Sequence, residues 1–161
     1  IVEMAPDNPF ARANLAGTQI QSGKLSAAQV ALEKAAALKP DDVFASVNLG
    51  NVYCRQGRFD DSISLLERVL KVDSKNSVAH NYLAIALGKK GDTAKAEESF
   101  RASLAINPNY ANAHFNLAVM YANAEPPSLQ LAKKHYEKAK DLGAEPDSVL
   151  ERRLAQIQAA P

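Results

Sequence analysis

An all-α fold, built as a solenoid of like helix pairs, is predicted by three observations. A short phrase returns every 34 residues, as Asn14-Leu15-Ala16, Asn48-Leu49-Gly50, Tyr82-Leu83-Ala84 and Asn116-Leu117-Ala118, and that interval is the length of one helix-turn-helix unit. A glycine stands eight residues after each of the first three leucines, at Gly23, Gly57 and Gly91, marking one turn per unit. Alanine and leucine dominate a chain of 161 residues that is 47% hydrophobic and has no tryptophan, a composition that favours helix and supplies enough apolar material to bury.

Each unit therefore reads as two amphipathic helices about a short turn. The first helices are expected near Phe10–Gln21, Val43–Gln56, Ser77–Lys89 and Ala111–Asn123, and the second ones near Ser26–Leu38, Phe59–Val72, Thr93–Ile106 and Ser128–Leu142. In the second helices a small residue (Ala28, Ser62, Ala96) precedes a bulky one (Leu32, Leu66, Phe100) by four positions, and Pro40, Ser74 and Pro108 close the units. The short side chains at Ala16, Gly50, Ala84 and Ala118 are expected where helices cross closely.

The fourth unit breaks the metre. Leu117 to Ala132 is fifteen residues where Leu83 to Ala96 is thirteen, so two residues are inserted around 123–128. Pro126-Pro127 stops the first helix there and Ser128 stands where a cap belongs. That longer loop is either a tolerated insertion on the outer edge or a partner contact. Gly143 is placed to end the next helix in a left-handed cap. Beyond Pro146, Ser148 and Glu151 have the spacing of a capping box, and Leu150, Leu154 and Ile157 form one face of a last helix. Such a helix covers the stripe that the final repeat would otherwise expose.

Three segments follow: 1–8 as the end of a preceding repeat, 9–146 as the four-repeat array and 147–161 as a C-terminal capping helix. The first rests on Pro6, which lies 34 residues before Pro40. On this reading the chain is part of a longer array, and the first repeat exposes an apolar face suited to end-to-end self-association.

Charge and motifs exclude more than they suggest. With 19 basic and 18 acidic side chains, the chain lacks the field expected of a nucleic-acid or anionic-membrane binder. No apolar run reaches the roughly 20 residues of a membrane span. There is no phosphate loop, paired-cysteine motif or His-Glu-x-x-His arrangement. His80 and His114 are equivalents on neighbouring repeats, close enough in register to meet, yet no third ligand shares their phase. Cys54 reads as a small apolar group on a helix. No cofactor, metal or catalytic residue is expected.

The leucine-small-x-x-aromatic run that ends at Tyr53 and Tyr121, the turn glycines, the small–bulky pairs and the closing prolines together resemble the tetratricopeptide repeat family. Gln19 and Leu87 depart from its aromatic position, and His80 and His114 stand where the family often has tryptophan. The resemblance implies a right-handed superhelix of four helix pairs whose first helices line a concave groove for a partner protein. Carried over to this chain, the groove positions are Phe10, Ala13, Asn14 and Gly17; Phe44, Val47, Asn48 and Asn51; Val78, Asn81, Tyr82 and Ile85; and Asn112, Phe115, Asn116 and Val119. The groove is thus apolar and amide-rich.

Family members that grip acidic chaperone tails do so with lysines, an arginine and asparagines. Here only Asn48 fills such a place, with Ala13, Gly17, Val78 and Tyr82 at the others, which disfavours that mode. Other members carry asparagine ladders along a bound backbone. Asn14, Asn48 and Asn116 either form such a ladder, interrupted by Tyr82, or bond within the array. The function expected is a non-enzymatic protein-binding scaffold holding a peptide segment or partner subunit in the groove. The alternative is a structural spacer or self-association module with no dedicated ligand.

Overall fold

A computed structural model describes residues 9–39 and 41–159, and the side chains of 11–39 and 41–158. The segment 1–8, read above as the end of a preceding repeat, lies outside the described residues, as does the Phe10 side chain. Among the described residues there are nine α-helices and no strand: α1 Pro9–Gln21, α2 Leu25–Leu38, α3 Val43–Arg55, α4 Phe59–Val72, α5 Ser77–Lys89, α6 Thr93–Ile106, α7 Ala111–Ala122, α8 Leu129–Asp141 and α9 Ser148–Ala159.

The same turn joins the two helices of each of the first three pairs. Gly23, Gly57 and Gly91 adopt φ of 75°, 78° and 89°, a left-handed conformation that residues with a Cβ rarely enter. The next residue's N–H then reaches back to the first helix, Lys24 to Gln19 O, Arg58 to Tyr53 O and Asp92 to Leu87 O, which satisfies carbonyls the helix end leaves open. Between units, Asp42 and Asn76 cap α3 and α5 by accepting from the N–H groups of Ala45 and Ala79.

Each first helix packs on its own second helix, on the next first helix and on the second helix before it. Three buried clusters run along this stack as a continuous spine. At every crossing a short residue of the first helix meets a bulky one of the second. Ala16, Ala84 and Ala118 are wholly buried, as are Leu32 and Leu66, with Phe100 and Tyr136 nearly so. At Gly50 the fit is tightest, since a Cβ there would stand 2.8 Å from both Cγ and Cδ2 of Leu66.

Two caps differ from expectation. Ser128 makes no side-chain capping bond at the start of α8. Its backbone N–H instead donates to Tyr121 O across the inserted loop, which tethers that loop to α7. The expected Ser148–Glu151 capping box is replaced by Asp147, whose Oδ1 accepts from the N–H groups of both Val149 and Leu150. A carboxylate one residue earlier takes the two donors, and Glu151 turns to accept from Tyr136 Oη–H. Gly143 ends α8 at φ 90°, as expected.

Candidate functional site: the groove of the first helices

The bend of the stack follows from which helices touch. Successive first helices contact one another directly, as α1 with α3, α3 with α5, α5 with α7 and α7 with α9, whereas among the described residues no second helix touches another. The first helices therefore line the inner side. Charge is divided the same way. Helices α1, α3, α5 and α7 hold no aspartate or glutamate, and every carboxylate of α2, α4, α6 and α8 lies on the outer layer. The ion pairs Arg58–Asp61, Lys90–Asp60, Lys95–Asp92, Arg101–Glu97 and Lys140–Glu137 all belong to that layer or to its turns.

The sequence-derived groove positions separate into open and closed ones. Asn14, Phe44 and Asn112 are exposed, Phe44 by 52%; Asn48, Asn51, Tyr82, Ile85, Phe115 and Asn116 are half-buried. Val47 and Asn81 lie instead inside the array, at 5% and 1% exposure. The reason is geometric: the position two before the leucine faces the next first helix and is covered by it. Asn116 shows this directly, for its Nδ2 donates to Asn81 Oδ1 at 3.0 Å across the α5–α7 seam. Asn48 Nδ2 likewise donates to Phe44 O within its own helix. Of the asparagine ladder, these two amides spend a donor inside the array.

Tyr82 reaches the groove with its phenol pushed up to about 12, chiefly by burial and then by Tyr110. Cys54 sits below it, buried, with Sγ 3.1 Å from Ser62 Oγ and 3.6 Å from Tyr82 O. Burial raises its thiol, the opposite of what a nucleophile needs.

The histidines do not meet as their register suggested. His80 faces Ser74 O in its own repeat, while His114 pairs with His135 of α8, Nδ1 to Nδ1 at 2.9 Å. Because His114 Nε2 also lies 3.1 Å from Pro108 O, the neutral arrangement has His114 donating from Nε2 and His135 donating from Nδ1. No third side chain joins them, and no group of three or more metal-ligating residues exists among the described residues.

The C-terminal helix carries the part of the groove that sequence reading missed. Leu154 follows Leu117 by 37 residues, and Arg153-Leu154-Ala155 repeats the phrase Asn116-Leu117-Ala118 in the next first-helix position. Leu150 and Leu154 are buried like Ala113 and Leu117, so α9 sits as a fifth first-type helix. Val149, Arg152, Arg153 and Gln156 thereby fall at the groove positions. The seam between α7 and α9 is open, forming a cleft of about 580 Å³ lined by these four with Phe115, Val119, Asn123, Asp147 and Leu150. A second cleft of about 650 Å³, walled partly by Ala124 and Glu125 of the inserted loop, shares Val119 and Asn123 with it. The two form one trough along α7.

Patterns for the tetratricopeptide repeat match residues 11–42, 42–109 and 82–145, together spanning all four units. The chain belongs to the tetratricopeptide repeat family. By fold it is a protein–protein interaction scaffold. A TPR repeat-containing thioredoxin, TTL4, of Arabidopsis thaliana is 30% identical to it over 86 residues, which make up 53% of this chain and 13% of that protein. A thermophilic TPR protein of Thermus thermophilus superposes with a TM-score of 0.81 at 23% identity, over 99% of this chain and 86% of that one. MamA, from residue 41 onward, of Desulfovibrio magneticus gives 0.69 at 18% identity over 88% and 78%. A chain of the APC/C hetero-tetramer Cut9-Hcn1 gives 0.82 at 17% identity, over 97% and 31%. At these identities the structural likeness is one of tetratricopeptide fold alone. No described helix is long and apolar enough to cross a membrane.

Proposed function

We propose that this array is a non-enzymatic scaffold that holds a peptide segment or a partner subunit in the concave groove of its first helices, with no role for nucleic acid. The observation that carries this reading is the inner face itself. Helices α1, α3, α5 and α7 bring no carboxylate to it, and it presents Phe44, Tyr82, Ile85 and Phe115 beside the amides of Asn14, Asn51 and Asn112. Aromatic anchors with a polar surround are what concentrate binding energy at protein interfaces. Catalysis has no support here, because the single thiol is buried and raised and the histidines serve the packing of α7 on α8.

Affinity chromatography from the native source, with Phe44→Ala and Phe115→Ala beside wild type, tests the reading. Either change is expected to weaken a groove-bound partner by about 1–3 kcal/mol while leaving the fold intact. Along 43–54, which carry no charged side chain, that binding depends weakly on salt. Identical partner sets for all three proteins would remove the groove from function and favour the spacer.

A further inference from the structure

Within the groove proposed above, the open seam between α7 and α9 differs from the rest in chemistry. Its floor is apolar, made by Phe115, Val119, Val149 and Leu150, and its rim carries Arg152 and Arg153. Neither guanidinium is in an ion pair among the described residues. Arg152 donates from Nε to Ser148 O and Arg153 from Nε to Ala122 O, which leaves the paired Nη groups of both without a protein partner among the described residues. The one carboxylate in the cleft, Asp147, is occupied by two backbone N–H groups. Glu151 is turned away toward Tyr136.

We propose that this cleft receives an acidic, apolar-anchored segment of a partner protein, with a bulky apolar side chain on Phe115, Val119 and Val149 and a neighbouring carboxylate on Arg152 and Arg153. This rests on the groove reading and narrows it. Charge complementarity selects the occupant. Guanidinium groups bind carboxylates through two parallel hydrogen bonds, and the adjoining first helices supply no carboxylate to compete. In the adjoining cleft Lys89 shares the wall with the Glu125 carboxylate, so the preference belongs to the arginine rim. This differs from the chaperone-tail clamp, whose places are filled here by Ala13, Gly17, Val78 and Tyr82.

The test is a selection from a phage-displayed library of random linear peptides on the whole chain, followed by fluorescence anisotropy with the enriched peptides made synthetically. Expected are sequences with Asp or Glu next to Leu, Ile or Phe. Their affinity falls about tenfold in Arg152→Gln/Arg153→Gln, a loss of ~1.4 kcal/mol. It also falls as salt shortens the Debye length from about 10 Å at 0.1 M to about 3 Å at 1 M. Arg152→Gln alone, which leaves the Arg153–Ala122 contact in place, keeps the test valid if the double variant melts early. Peptides that need Phe115 but bind the arginine variants unchanged overturn the acidic preference and leave the groove reading standing. No enrichment on wild type overturns both. A wild-type dimer that the double variant dissolves gives the cleft to a second copy of the chain and overturns the proposal.

Discussion

The seam between α5 and α7 and the seam between α7 and α9 join the same kinds of helix, and a cleft lines each of them, of about 650 Å³ and about 580 Å³, yet the polar groups that meet there differ. At the first, Asn116 donates to a buried Asn81, and the apolar faces of α5 and α7 meet around Ala84. At the second, Arg153 stands in the place of Asn116 and Phe115 in that of Asn81, so no amide pair bridges the helices, and the cleft lies between Phe115 and Val149. The residue one before the repeat leucine and, on the preceding first helix, the residue two before it thus set the chemistry of the seam. Two short amides bond to one another across it; a guanidinium beside a phenyl ring leaves charge and apolar surface facing the groove.

The comparison breaks most readily at the helix that makes the open seam. If α9 is a true fifth first-type helix, Leu154, at 6% exposure among Leu117, Tyr136 and their neighbours, anchors it. Leu154→Ala is expected to destabilise the chain by about 2–5 kcal/mol in denaturant melts. A loss within ~0.5 kcal/mol would mean that α9 is not docked on α7, and the open seam would vanish with it.

At the α5–α7 seam the decisive group is an amide. Removing the Asn116 side chain leaves Asn81 Oδ1 buried without its donor, and an orphaned buried acceptor costs about 1–3 kcal/mol. Asn48→Ala serves as control, because its bond to Phe44 O lies within one helix at a half-exposed site, where a surface change stays within about 0.5 kcal/mol. Equal losses for the two would place Asn116 outside the seam.

Those two asparagines also show where sequence reading succeeds and where it stops. A period fixes phase, so helices, turn glycines and crossing residues were legible. The bounds of α4, α5 and α6 agree with expectation to the residue, and those of α1, α2, α3, α7 and α8 differ by one residue at one or both ends. Period does not reveal which side chains the following repeat covers, so Val47 and Asn81 were read as surface although the neighbouring helix buries them. It fails again where the metre is broken. The insertion at 123–128 and the linker before α9 push the fifth phrase to an interval of 37, and Arg152 and Arg153 were passed over as the polar side of a cap. The signal was present in Arg153-Leu154-Ala155. Local rivals explain the rest: Asp147 beats Ser148 to the cap, and His135, on the partner helix of the same repeat, reaches His114 where His80 does not.

His135 Nδ1 lies 2.9 Å from His114 Nδ1 across the α7–α8 contact, and the protonation of His135 is linked to folding. Burial, then His114, Lys134 and Arg101, lowers His135 to about 4 from its ordinary 6.5. Its folded pKa lies below its unfolded one, so the unfolded chain binds the extra proton first as pH drops. Stability is therefore full above about 6.5 and is lost progressively down to about 4. Melting temperature is expected to fall between about pH 7.5 and pH 5, and His135→Gln to flatten that part of the profile. Carboxylates elsewhere titrate mainly below this range, so an unchanged slope in the variant would remove the pair from the account.

The smallest effect concerns an open position in the first repeat. Gly17 lies two residues after Leu15, at the groove position that Ile85 and Val119 fill further along, and a Cβ there meets nothing within 4 Å. Glycine inside a helix costs about 0.8–1.0 kcal/mol relative to alanine, and a site with free space returns that amount without strain. Gly17→Ala is accordingly expected to stabilise by up to ~1 kcal/mol. Gly50→Ala carries the same gain in propensity, but its methyl runs into Leu66 at 2.8 Å, and overpacking of that kind costs about 1–3 kcal/mol. The two substitutions are chemically identical and should move the denaturation midpoint in opposite directions. A destabilising Gly17→Ala would place the α1 groove position inside a closed seam, and the division between open and closed positions would then fail at the first repeat.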